Sequence, residues 1–187
     1  MNHAALILAS GSPRRRELLS LTGLPYVVDA PEVDESCALP PEEAVQEISR
    51  RKGLAGAAAH PGCVVLSADT LVAVDGKALG KPHSEEEAFQ MLSLLSGRWH
   101  QVYTGVCAVD AQGMVHQRVV GTQVHFCPMT EEEIRRYIAT GEPMDKAGAY
   151  AVQGMDKLEG SYSNVIGLPM HTVRELLDEC GLHCWRA

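Results

Sequence analysis

The chain has 187 residues, a net charge of -8, 45% hydrophobic residues and only 5% aromatic ones. That length can bury a sizeable core, and the core must be mostly aliphatic. The acidic balance argues against a general nucleic-acid binder, and no stretch approaches a membrane span.

Ala4–Ala9 reads as a short buried strand. It is too short for the apolar part of a signal peptide, and its positive charges follow the run instead of preceding it. Ser12 is a natural N-cap and Pro13 a natural first residue for a helix, Arg14–Leu21, that stops at Gly23. Val33–Leu39 is polar and irregular. Pro40-Pro41 opens a second, alanine-rich helix to Ala59. Val64–Ser67 is a fully apolar strand covered on both faces, and a strand resumes at Leu71–Val74 before the hairpin turn Asp75-Gly76.

Ser84 with Glu87 predicts a capping box for a third helix ending at Gly97. Two long strands, Val102–Val109 and Val115–Phe126, meet at Ala111-Gln112-Gly113. Thr130 with Glu133 predicts another capped helix ending at Gly141. Asp145–Gly154 and Ser161–Ile166 read as strand or loop, and Pro169 opens a last helix to Gly181. Helices alternate with strands, with hairpins among them, which predicts an α/β or α+β fold around a mixed sheet.

The basic residues cluster, and the first cluster is out of place. Arg14, Arg15 and Arg16 occupy the first turn of a helix, where the macrodipole favours acids. A strand, the turn "ASGSP" and a helix N-terminus form an anion cradle, with Ser10 and Ser12 hydroxyls and backbone N–H groups available to phosphate oxygens. Guanidinium forks match phosphate, so a polyphosphate accounts for the arginines. A solvated basic helix start is the competing reading. Only Gly11 is a glycine in that turn, so it is neither a P-loop nor a dinucleotide fingerprint.

Asp69 interrupts an apolar strand, where an unpaired carboxylate is expensive. It calls for a lysine or a divalent metal, or for a structural hydrogen bond to a turn. Glu32, Asp34 and Glu35 form an acidic cluster that could add a ligand or simply face solvent. Lys52, Lys81 and Lys146 stand out, Lys81 because it lies between glycine and proline on a rigid turn. The eight histidines show no ligand spacing. The six cysteines contain no Cys-x-x-Cys pair, Cys180-Gly-Leu-His183-Cys184 fits no common zinc spacing, and thiols in a reducing cytoplasm are the expected reading.

In order from Leu6 to about Leu177, "LASGSPRRRELL", "SADTLV", "GKALGKP", "MLSLLSGRWHQVYTGV", "YIATGEPMDKAGAYAVQG" and "GSYSNVIGLP" together resemble the Maf family of nucleoside triphosphate pyrophosphatases. The resemblance implies one domain over residues 1–187, an elongated mixed sheet flanked by helices, with two lobes around a central cleft. It implies release of pyrophosphate from a nucleotide, a divalent cation (Mg, Mn or Co), and a homodimer.

By the same resemblance Asp69 is the catalytic proton acceptor, and Glu35 with Asp69 holds the metal. Ser10, Ser12, Arg15, Lys52 and Lys81 would grip the polyphosphate. An aspartate beside cations should have a depressed pKa and be a weak base alone, so a water acidified by the metal and oriented by Asp69 is the expected nucleophile at the α-phosphorus. Arg14, Thr70 and Gln153 match the dTTP/UTP subgroup, where a 7-methyl-GTP subgroup has tryptophan, glutamine and glutamate. A glutamine amide offers the donor and acceptor that uracil and thymine require. The alternatives are a 7-methyl-GTP pyrophosphatase or a non-catalytic nucleotide-binding regulator of cell division. Between Gln153 and Glu159 the chain has only Gly-Met-Asp-Lys-Leu, shorter than is usual in the family, which implies a trimmed hairpin.

Overall fold

A computed structural model describes residues 5–150 and 154–184. Strand β1 (Leu6–Leu8) runs through the turn at Ser10–Ser12 into helix α1 (Pro13–Ser20), and β2 (Tyr26–Val28) returns parallel to β1. Helix α2 (Pro41–Ala59) then carries the chain across to β3 (Val64–Val74), which lies parallel to β1 on its other side. The remaining strands are β4 (Lys77–Leu79), β5 (Trp99–Val109), β6 (Val115–Phe126) and β7 (Met155–Glu159). The sheet order is β2-β1-β3-β5-β6-β7, with β4 paired to β3, and every contact from β3 onward is antiparallel. The expected mixed sheet is therefore observed.

The crossover β1–α1–β2 and the crossover β2–α2–β3 run in opposite directions along the sheet, so their helices cover opposite faces. Side chains alternate accordingly. Leu6 and Leu8 pack with Leu19 of α1, while Ile7 and Ala9 pack on the other side with Ala57 of α2. In β3, Val64, Leu66 and Ala68 join the α1 side and Val65 the α2 side. Further along, Val72 and Val74 enter a second cluster with helix α3 (Glu85–Leu95), Val102, Phe126 and helix α4 (Glu131–Ile138). Reversal of crossover direction beside β1 opens a crevice at its carboxyl end, the usual place for a ligand in such sheets.

Helix α2 comes unusually close to the sheet. A Cβ on Gly105 of β5 would lie 2.2 Å from the Val45 carbonyl oxygen. Only a missing side chain there lets the helix backbone rest on the strand.

Several expectations are corrected. The break expected at Asp69 does not occur: β3 is continuous, and Asp69 pairs in register with Gly105. Ser161–Ile166 is not a strand. It forms helix α5 (Tyr162–Ile166), because Ser161 caps the Asn164 N–H and Gly167, at φ +118°, closes the last turn. The β-branched Val165 and Ile166 mislead a propensity reading. Residues 142–149 form two short 3₁₀ turns, Glu142–Asp145 and Ala147–Ala149. The shortened segment contributes β7, an added edge strand with an irregularity opposite His125 and Phe126. Asp75 and Gly76, at φ 51° and 73°, make the expected tight hairpin. The second capping box forms fully at Thr130 and Glu133. In the first, Glu87 reaches past Ser84 to accept from the His83 N–H at 2.8 Å. The last helix, α6 (Met170–Glu179), closes the α1 side of the core, where Cys184 is buried.

Candidate active site

Alternation along β3 sends two adjacent side chains to opposite faces. Asp69 follows Val65 and Ser67 toward α2, and Ser67 there donates to the Ser49 carbonyl at 2.7 Å. Lys52, one helical turn beyond Ser49, reaches Asp69 Oδ1 at 2.8 Å. The same Lys52 Nζ lies 3.0 Å from Glu35 Oε1, on the irregular segment before α2. Lys52, Asp69 and Glu35 are thus brought together.

Burial pushes the Asp69 carboxyl above the ordinary carboxylate range, against the pull of Lys52 and Arg15. This reverses the sequence expectation of a depressed pKa. Desolvation outweighs the cations, and Glu35 adds a like charge on the same side. The carboxylate is a better base than its neighbours alone suggest.

Thr70 points to the other face, toward α1. Ser12 caps α1, its hydroxyl accepting from the Arg15 N–H at 3.5 Å. The Arg15 side chain then turns inward and spends three N–H donors on protein acceptors. Nε donates to the Gly167 carbonyl at 2.8 Å, Nη1 to Ser10 Oγ at 3.2 Å, and Nη2 to Thr70 Oγ1 at 3.1 Å. Burial lowers its pKa, with Asp69 and Glu35 opposing, and the group stays cationic. The three arginines of the first turn therefore part company. Arg14 reaches Asp145 at 3.5 Å, Arg15 is locked into the crevice, and Arg16 is exposed.

Other expected residues stand apart. Lys81 is exposed on the loop after β4 and makes no ion pair among the described residues. The preceding Gly80 carbonyl accepts from the Gly148 N–H at 3.0 Å, which ties that loop to the turn beyond Lys146. Lys146 itself pairs with Asp145 at 2.7 Å. Gln153 lies outside the described residues. Sequence reasoning missed Asp145, Gly167, Thr104 and Asn164 as partners of the site. The signal available was Thr104, a hydroxyl next to the apolar run Val106–Val109 in the same strand.

The donor set suits a hard divalent cation. Two carboxylates from different elements converge on the Lys52 ammonium, with the Arg15 guanidinium also acting on Asp69, so hard oxygen donors are already gathered at one point. Among the described residues no group of three His, Cys, Asp or Glu side chains forms a protein-only cage. Two carboxylates completed by substrate oxygens and water is the usual arrangement for Mg²⁺.

Comparison with known proteins decides the family. The family model described as Maf-like protein matches residues 5–180. The chain belongs to the Maf family. A Symbiobacterium thermophilum protein named dTTP/UTP pyrophosphatase is 49% identical over 185 residues, covering 94% of each chain. A Moorella thermoacetica protein of the same name is 48% identical over 191 residues, covering 96% of this chain and 97% of its own. Among solved structures, a HAM1 protein from Coxiella burnetii shares the fold at TM-score 0.55 and 13% identity, over 94% of this chain and 99% of that one. The Staphylococcus aureus Ham1 protein matches at TM-score 0.51 and 15% identity, over 66% and 72% of the two chains. These two likenesses concern the fold.

Proposed function

We propose that this Maf protein is a nucleoside triphosphate pyrophosphatase that converts dTTP and UTP to the monophosphate and pyrophosphate. The observation that carries the reading is the placement of Asp69 and Thr70. Consecutive residues of one strand present a buried, lysine-paired carboxylate on one side and a locked arginine on the other. Relatives that match nearly end to end and bear the dTTP/UTP name support the substrate assignment.

Arg15 has five N–H donors and uses three on the protein, which leaves two for phosphate oxygens. Ser10, Ser12 and the N-terminal N–H groups of α1 extend that grip, and Lys81 reaches the polyphosphate from its loop. Lys52 neutralises charge near the α-phosphate. Glu35 and Asp69 would hold a divalent cation, which when bound supplies further charge neutralisation and acidifies water. Asp69 orients the attacking water and accepts its proton. The water oxygen bonds to the α-phosphorus, the α–β bridging bond breaks, and pyrophosphate leaves with the electron pair. Held geometry and prepaid electrostatics provide most of the acceleration. Arg14, Thr70 and Gln153 bear on the choice of base. Residues 1–187 act as one domain around this site, and the six free cysteines suit a cytoplasmic setting.

The test is pyrophosphate release by the purified protein over all common nucleoside triphosphates and 7-methyl-GTP, with Mg²⁺ and with Mn²⁺. Preferential turnover of dTTP and UTP is expected. Preference for 7-methyl-GTP would overturn the pyrimidine assignment, and no release from any nucleotide would leave a binding protein.

A further inference from the structure

The α1-facing side of the sheet carries two apolar clusters, one reaching Ala68 and Val106, the other starting at Val72 and Val102. Between them, in register, stand Thr70 and Thr104. Thr104 is fully buried, and so is Asn164 of α5. Polar groups buried in such a place are costly unless they hydrogen-bond, and of this set only Asn164 Oδ1 has no partner among the described residues, so the network is conformationally exacting.

The protons of this network can be assigned. Thr104 Oγ1 donates to the Asn164 carbonyl at 3.2 Å, which uses its one proton. The 2.9 Å contact between Thr70 and Thr104 must then be a donation from Thr70. Thr70 in turn accepts from Arg15 Nη2 at 3.1 Å. All donors therefore run one way, from the guanidinium through two hydroxyls to the α5 backbone. Asn164 is pinned separately, its Nδ2 donating to the Val102 carbonyl at 3.0 Å and to Thr122 Oγ1 at 2.9 Å. The end of α5 closes the circuit, because the Gly167 carbonyl accepts from Arg15 Nε at 2.8 Å.

We infer that Thr104 is a positioning residue for the hydrolytic reaction: through Thr70 and Asn164 it fixes the plane in which Arg15 presents its two remaining N–H donors to the triphosphate. The inference rests on the pyrophosphatase reading of the site. It also changes the meaning of Thr70. With its proton committed to Thr104 and one lone pair to Arg15, that hydroxyl cannot donate to a base carbonyl. It influences substrate choice by orienting Arg15, or by accepting one hydrogen bond.

The test compares Thr104→Val and Thr104→Ser, each in the wild-type and in the Arg15→Lys background, for dTTP hydrolysis with Mn²⁺. Thr104→Val should lower kcat about tenfold with KM within about twofold, and Thr104→Ser should restore it to within about twofold. In the Arg15→Lys background the valine should cost less than about twofold, because the group it positions is gone. Equal losses in both backgrounds, or an unchanged kcat, overturn the inference. Wild-type protein that hydrolyses no nucleotide strikes the pyrophosphatase reading instead. The positioning is then read without activity, from the side-chain ¹⁵N–¹H spectrum of Arg15 in the protein alone. Restricted rotation about the Cζ–Nη2 bond should be lost in Thr104→Val, and an unaltered Arg15 spectrum overturns the inference.

Discussion

Lys52 and Asp69 meet at 2.8 Å with only 12% and 10% of their side chains exposed. Such a pair is a poor device for stability, because desolvation of both ions offsets most of their attraction. Its cost shows in the raised pKa of Asp69. A carboxylate in so unfavourable a place is poised to take a proton or a cation.

Replacing it isosterically should separate chemistry from binding. Asp69→Asn is expected to reduce pyrophosphate release by about 10³-fold or more, the range for loss of a positioned base. Nucleotide affinity measured by calorimetry should change by only a few fold. Turnover near the wild-type rate would remove Asp69 from the mechanism.

Removal of metal should act on turnover and not on the fold. Two carboxylates already shared with Lys52 make a weak site until phosphate oxygens complete it. EDTA should therefore abolish hydrolysis while leaving the Tm of the nucleotide-free protein unchanged. Mn²⁺ and nucleotide together should raise Tm more than the two separate effects combined. A large Tm drop on chelation without nucleotide would mean that metal is structural.

Close seating of α2 sets the position of Lys52. A Cβ at Gly105 would meet backbone atoms of Val45 and Gln46 at 2.2 and 2.8 Å, and backbone cannot swing aside as a side-chain tip can. Gly105→Ala should cost about 3 kcal/mol of unfolding free energy, at the upper end for overpacking. It should also lower kcat/KM well below the melting range, by displacing Lys52 from Asp69. Urea unfolding and steady-state kinetics on one preparation check both, and wild-type stability would contradict the packing described.

His100 gives the fold an acid limit. It is fully buried, shares a 2.6 Å hydrogen bond with the Tyr150 hydroxyl, and burial brings its pKa from 6.5 down to about 4. The unfolded chain binds a proton that the folded one refuses between those values, so stability falls as pH drops from about 6.5 to about 4. The loss is about 3 kcal/mol. His100→Gln should flatten that part of the curve relative to wild type in urea titrations at pH 7, 5.5 and 4. Parallel curves would show that other groups set the acid limit.

Much of this was readable beforehand because it is local. The caps at Ser12 and Thr130, the Asp75-Gly76 hairpin, the long strands β5 and β6 and the run of α2 follow from turn chemistry and hydrophobic period. The misfit of three arginines at a helix start pointed to the crevice, and Asp69 in an apolar strand pointed to a charged partner. Helix α5 was not readable, since three of its five residues, Tyr162, Val165 and Ile166, are strand formers and its cap and glycine stop are decisive only in place. Short edge strands such as β2 and β7 have no pattern of their own and form because a neighbour offers a ladder.

By itself the sequence determined the inventory: which groups can hold phosphate and cation, and which segments must be helix or strand, since these depend on residue type and spacing. Only the tertiary structure decided how the inventory is used. Packing sent Arg14 to Asp145 and Arg15 to Thr70 and Gly167, although the two are adjacent and chemically identical. It also raised the Asp69 pKa where charge counting predicted the reverse. Both outcomes depend on burial and direction, and those are set by contacts between residues as many as 152 positions apart.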